Sequence, residues 1–238
     1  MPVSEPQPAQ PSTEPSAPDP FRHALLDDGQ QLEIILVRHG QQADRKVDDS
    51  PLSRLGQQQA QVVGEFLRGE AISAVYSSHL RRAHHTGLAI AGHHDLECVV
   101  DERLREIQIG RDVPDGKSMR DLIDDDELKQ RGEAFIATRR WETFALSETG
   151  EELRARVAAA IDAICARHRS TGGDTARVVV ACHGGVINAI VGHELGIPMD
   201  FFFTTAHCSV HRLRVGADRM VVESLNDTRH LIGEQLTY

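Results

Sequence analysis

Two short stretches end an apolar run with one more residue and then a histidine directly before glycine: Ile34-Ile35-Leu36-Val37-Arg38-His39-Gly40 and Val178-Val179-Val180-Ala181-Cys182-His183-Gly184-Gly185. Glycine lets backbone N–H groups approach an anion closely, and Arg38 adds a charge that stays on near neutral pH. A neutral imidazole is nucleophilic near pH 7, so such a pair suits the capture of a phosphoryl group. Arg-His-Gly alone is a weak signal. Its position at the end of a buried-type strand, echoed 144 residues later, is a stronger one.

That chemistry requires the two histidines to meet, and the surrounding periodicity supplies the elements that would bring them together. Strands are expected at 32–37, 72–76, 96–100, 177–181, 210–215 and 220–224. Ser53 reads as the cap of a helix whose apolar positions Leu55, Val62, Val63, Phe66 and Leu67 recur at helical spacing. Further helices are expected at 80–91, at 149–168 behind a Thr149–Glu152 capping box, and at 185–195. Alternating strands and helices predict an α/β fold: a three-layer sandwich with a mostly parallel sheet flanked by helices on both faces. In such folds ligands bind beyond the carboxyl ends of the strands, where Arg38-His39-Gly40, Ser77-Ser78, Asp101 to Glu106 and His183-Gly184-Gly185 all fall.

The chain has 238 residues, 40% of them hydrophobic, which suffices for one sizeable core. Seven of its ten prolines lie in residues 1–20, which carry no aromatic or cationic side chain. Residues 1–30 therefore read as a disordered Pro-rich tail ahead of one domain at 31–238. The tail lacks the basic start and apolar centre of a signal peptide, and no apolar run is long enough for a membrane span, so the expected location is cytoplasmic. Cys98, Cys165, Cys182 and Cys208 are spread apart with no CxxC and read as buried free thiols. A net charge of −10 argues against nucleic acid or an anionic membrane surface as partner. No metal-ligand spacing is evident, and His84-His85 and His93-His94 read as surface residues.

Five ordered motifs resemble the histidine phosphatase superfamily, the phosphoglycerate mutase-like branch 1. They are Leu36-Val37-Arg38-His39-Gly40, the segment Pro51 to Ala60 (PLSRLGQQQA), the segment Ser77 to Thr86 (SSHLRRAHHT), Leu104 to Gly110 (LREIQIG) and Val180 to Ile187 (VACHGGVI). The resemblance implies that His39 is the phosphoryl-accepting nucleophile and Glu106 the proton donor to the leaving group. Arg38 and Arg82 would clamp phosphoryl oxygens, since guanidinium forks match them bidentately. His183 would hydrogen-bond the transferring group at a helix N-terminus, with the Gly40 and Gly184 backbone nearby. Arg81, adjacent to Arg82 on a helix, must point elsewhere. No metal or other cofactor is implied.

The resemblance further implies a phosphomonoester hydrolase acting on a small phosphorylated metabolite. A mutase dependent on 2,3-bisphosphoglycerate is the first alternative. It is disfavoured by Gln41-Gln42-Ala43-Asp44-Arg45, where mutases usually continue with an acidic residue and Ser, and by Arg111-Asp112-Val113 where they tend to carry Trp-Glu-Gly. A protein phosphatase and a catalytically silent phosphate-binding module are remoter alternatives, and oligomeric state is not readable. Residues 107–147 are polar and crowded with both charges, predicting a helical insertion over the active-site edge that serves either as a solvated excursion or as a substrate lid. Arg45, Arg111, Lys117, Arg120, Arg139 and Arg140 are candidate substrate contacts, with surface solubility as the default reading of each, while Trp141 reads as the packing anchor of the insertion. His207 is open between a pocket-lining role and a plain strand-entry position.

Overall fold

In the computed structural model, residues 32–169, 175–216 and 219–238 are described. The expected N-terminal tail lies outside them. Six strands form one mixed sheet in the order β3-β2-β4-β1-β5-β6. They are β1 (Leu32–Arg38), β2 (Ala74–Ser77), β3 (Cys98–Val100), β4 (Ala176–Cys182), β5 (Val210–Val215) and β6 (Met220–Asp227). The first four in space run parallel, and β5 and β6 continue the sheet through antiparallel pairings.

Alternation along the central strands assigns each side chain to one of two cores. Leu32, Ile34 and Leu36 of β1 and Val178, Val180 and Cys182 of β4 share one face with α4 (Gly150–His168) and α5 (Gly184–Leu195). Ile35, Val37 and Val179 face the opposite way, against α1 (Arg54–Leu67) and α2 (Arg81–Ala91). Both faces being covered explains why the middle of each strand, residues 34–37 of β1 and 178–181 of β4, is an unbroken apolar run rather than alternating with polar residues.

The predicted caps are in place. Ser53 accepts the Gly56 N–H at 3.0 Å, and Thr149 and Glu152 form the reciprocal capping box of α4. Each satisfies N–H groups that the first helical turn leaves without partners. His84, expected at the surface, is instead half-buried, with its Nδ1 3.0 Å from Ser77 Oγ. Cys165, Cys182 and Cys208 are buried free thiols and Cys98 is partly exposed.

The insertion is less helical than predicted. Its one α-helix is α3 (Asp125–Thr138), capped by Asp124, with single 3₁₀ turns at Met119–Asp121 and Trp141–Thr143. Before α3, Gly110 and Gly116 both adopt a φ of +76° on either side of Pro114, and a helix cannot pass through such a sequence. Trp141 anchors the segment as expected: it is buried, stacks on Phe135 at 4.8 Å and meets Phe144 and Phe201. Its backbone N–H donates to Asp200 Oδ2 at 2.9 Å, and Arg154 pairs with the same buried carboxylate.

Candidate active site

Strand register brings the two histidines together. β1 and β4 pair so that Arg38 lies opposite Cys182, and each strand then releases its histidine at the same level. The His39 N–H donates to the Cys182 carbonyl at 2.9 Å, and the two imidazole centroids are 5.0 Å apart. β2 pairs with β4 on the other side, so the turn after Ser77 delivers Arg82 in the first turn of α2. β3 pairs with β2, and the chain beyond it carries Glu106 back toward α5. Four strand ends thus supply the five predicted side chains.

His39 is buried and its ring orientation is set. Its Nδ1 lies 2.7 Å from the Gly40 carbonyl, which can only accept, so Nδ1 carries the proton and Nε2 keeps a lone pair. The Arg82 Nε–H approaches that Nε2 at 3.3 Å. Burial, then the neighbouring His183, Arg38 and Arg82, hold the His39 imidazole well below the usual histidine range, opposed by the Gly40 hydrogen bond. The ring is therefore neutral and unprotonated at Nε2 near pH 7, the form a nucleophile requires.

Arg38 donates through Nη1 to the Thr205 carbonyl, while its buried Nε has no protein partner. Burial pushes its pKa down to about 10, against the pull of Glu106, so it stays charged at neutral pH. Arg82 donates to the Asp48 carbonyl at 2.5 Å, which ties the loop after β1 to the site. Arg81 is exposed and takes no part.

His183 is fully buried, and neither ring nitrogen has a protein partner. Burial comes first, then Arg82 and Arg38, in keeping it neutral. Buried polar groups are nearly always hydrogen-bonded, so two orphaned nitrogens beside two arginines mark where an oxygen-rich anion would bind. Glu106 accepts the Gly185 N–H at 3.2 Å and the Ile107 N–H at 3.0 Å, which aims its carboxyl at the start of α5. A Cβ at position 185 would push that carboxyl aside, so glycine lets Glu106 lie against the start of α5.

The backbone of Glu106 is held by a network with no signal in the sequence. Its carbonyl accepts from Arg156 Nη2 at 3.2 Å, and Arg156 and Arg105 both bind the buried Glu148. Burial works to raise the Glu148 carboxyl, but hydrogen bonds and charge from Arg156 outweigh it and keep the group ionised. Gly40 departs from expectation as well. Its N–H donates to Thr86 Oγ1 at 3.1 Å, so it is committed inside the protein rather than offered to an anion. Glycine is needed at 40 because a Cβ would strike the Gly56 carbonyl of α1. Gly184 opens α5, where N–H groups point outward from the helix.

A family model described as the histidine phosphatase superfamily (branch 1) matches residues 34–228. The chain belongs to that superfamily. A relative named "probable phosphoglycerate mutase", from Yersinia enterocolitica, is 27% identical over 215 residues, covering 84% of this chain and 95% of that one. Mycobacterial glucosyl-3-phosphoglycerate phosphatase matches with a TM-score of 0.69 at 25% identity, covering 83% of this chain and 100% of that one. YhfR of Bacillus stearothermophilus gives a TM-score of 0.69 at 26% identity, over 84% and 98%. As a histidine phosphatase with phosphatase- and mutase-named relatives, the chain is an enzyme of phosphatase type.

Within this histidine phosphatase, the cations expected to select substrate are mostly engaged elsewhere. Arg111 pairs with Asp112 and Glu152, Arg120 with Asp125, and Arg140 with Glu142. Arg45 differs, because its charge helps depress both Arg38 and His207. His207, left open by the sequence, is buried with its ring centroid 5.7 Å from that of His39.

Proposed function

We propose that this histidine phosphatase is a phosphomonoester hydrolase that acts on a small phosphorylated metabolite in the cytoplasm, through a phosphohistidine at His39 and without a metal. The arrangement of His39 carries the reading: Nδ1–H is spent on Gly40, and the unprotonated Nε2 faces the guanidinium of Arg82. In the first step Nε2 bonds to phosphorus while the P–O bond to the alcohol breaks, and Glu106 gives its proton to the departing oxygen. In the second, Glu106 takes a proton from water, whose oxygen bonds to phosphorus as the P–N bond breaks and inorganic phosphate leaves. Arg38, Arg82 and the His183 N–H would stabilise charge on the phosphoryl oxygens, which is the main task in phosphoryl transfer.

The test is hydrolysis of p-nitrophenyl phosphate with and without EDTA, together with trapping of the phosphoenzyme. Turnover is expected to be unaffected by EDTA and to proceed through an acid-labile phosphoenzyme. Both should disappear in His39→Ala, with turnover down by at least about 10⁴-fold. Wild-type turnover in that variant would refute the reading. The phosphoglycerate mutase alternative is favoured by the name of the Yersinia relative. It predicts interconversion of phosphoglycerates in the presence of 2,3-bisphosphoglycerate at rates above hydrolysis, measured in the same preparation.

A further inference from the structure

Three buried histidines of this chain differ in how their ring nitrogens are satisfied. His211, on β5, has both engaged: Nε2 is 3.0 Å from Ser209 Oγ and Nδ1 accepts the Asn226 N–H at 3.1 Å. That is the pattern of a histidine that only packs. His183 has neither nitrogen engaged, as suits a ligand-facing group. His207 stands between them: Nδ1 is 2.9 Å from Thr237 Oγ1, and among the described residues no group hydrogen-bonds Nε2.

A chain of hydrogen bonds backs the Nδ1 side of His207. The Gln41 N–H donates to Gln59 Oε1 at 2.8 Å, which turns the Gln59 amide so that Nε2 donates to Thr237 Oγ1, also at 2.8 Å. The Thr237 hydroxyl can in turn give its proton to His207 Nδ1, and in that arrangement the ring proton resides on Nε2. Burial, then Arg38 and Arg45, push the His207 pKa down to about 3, opposed by the Thr237 backbone. The ring thus remains neutral across the physiological range, and an anionic acceptor at Nε2 selects the tautomer that carries the proton there.

Its placement is enforced by the backbone. Cys208 adopts a φ of +56°, which L-residues other than glycine rarely take, while its N–H donates to the Arg38 carbonyl at 3.0 Å. The His207 N–H is tied to the Thr237 carbonyl at 2.9 Å. A strained turn clamped to the residue before His39 holds the imidazole beside the nucleophile, and strain of this kind gathers at functional sites.

Building on the phosphohistidine reading above, we propose that His207 is a third imidazole of the phosphoryl site, whose Nε2–H donates to an oxygen of the bound phosphoryl group. It adds a neutral donor to the charged ones of Arg38 and Arg82, and Thr237 and Gln59 act as positioning residues behind it. The experiment compares His207→Leu, which removes the donor, with His207→Gln, whose amide nitrogen reaches close to the place of Nε2. Inorganic phosphate affinity is measured by calorimetry, orthovanadate inhibition and kcat/KM by p-nitrophenyl phosphate turnover, and folding by thermal melts.

The Leu variant is expected to lose about 10- to 100-fold in kcat/KM and in vanadate and phosphate affinity, with the Gln variant within about threefold of wild type. A Leu variant within twofold of wild type overturns the assignment, as does a Gln variant as impaired as Leu. Should the Leu variant fail to fold, Thr237→Val takes its place: the ring remains but loses the hydroxyl that can donate to Nδ1 and favour a proton on Nε2, so phosphate affinity should drop by about threefold or more. Unchanged affinity there overturns the assignment. Wild-type protein that binds phosphate in a His207-dependent way yet hydrolyses no phosphomonoester refutes the hydrolase reading and leaves His207 in place.

Discussion

In the pocket, His39, His183 and Arg82 are fixed by paired strands and buried cores, whereas residues 107–147 are fixed by one aromatic anchor and a few ion pairs. The helix α3 buries none of its residues, and charges such as Arg131 and Glu127 pair with each other on its surface at 2.7 Å. What ties this segment down is Trp141 with Phe135, Phe144 and Phe201, together with Asp200. The contrast teaches a division of labour. The residues proposed to do chemistry sit where a shift of register would dismantle the sheet, and the insertion sits where change is cheap.

The largest effect that sharpens this contrast is expected at Glu106, the pocket residue nearest the root of the insertion. Glu106→Gln should lower kcat/KM for an alkyl phosphate by about 10²- to 10⁴-fold, but for p-nitrophenyl phosphate by less than about tenfold, because nitrophenolate leaves without a proton. Equal losses on both substrates would assign the acid elsewhere. Next comes the anchor. Trp141→Ala should cost about 3–5 kcal/mol of stability in denaturant titration while p-nitrophenyl phosphate turnover by the folded enzyme stays within about threefold. Turnover falling in step with stability would show that the two regions are one unit.

A further effect is expected in acid, where residues 107–147 contribute no histidine. His207 and His211 both have pKa values near 3 in the folded protein. Unfolded histidine binds protons near pH 6.5, so these groups support folding fully above that pH, and the support is lost as pH falls from 6.5 toward 3. The loss at pH 5 is about 2 kcal/mol for each, with His39 and His183 adding in the same direction. Urea midpoints should therefore fall between pH 7.5 and pH 5. A flat profile would contradict the buried neutral histidines.

The sheet was legible because β1 and β4 are buried on both faces and read as unbroken apolar runs, and because Ser53 and the Thr149–Glu152 pair mark their helices locally. His39, His183, Arg82 and Glu106 were legible through motifs, each at a strand end or the turn that follows it. Their supports were not. Thr205, which braces Arg38, and Thr237, which braces His207, lie far along the chain from what they touch, so no local spacing announces them. Thr86 ends a recognised motif, yet only the fold shows that it captures the Gly40 amide. In the insertion the helical reading holds for α3, while Gly110, Pro114 and Gly116 rule out a helix before residue 119.

The sheet order carries a consequence for how the molecule comes into being. β1 and β2 follow one another in the chain but never pair, because β4 lies between them and holds both. As the protein is synthesised, its amino-terminal half must wait with two open strand edges until residues 176–182 emerge and slot in. Non-local pairing of this kind makes folding slow and leaves such edges prone to association with other chains. Assembly of the site is thereby timed: His39 is made early, and the strand that completes its surroundings arrives late in translation.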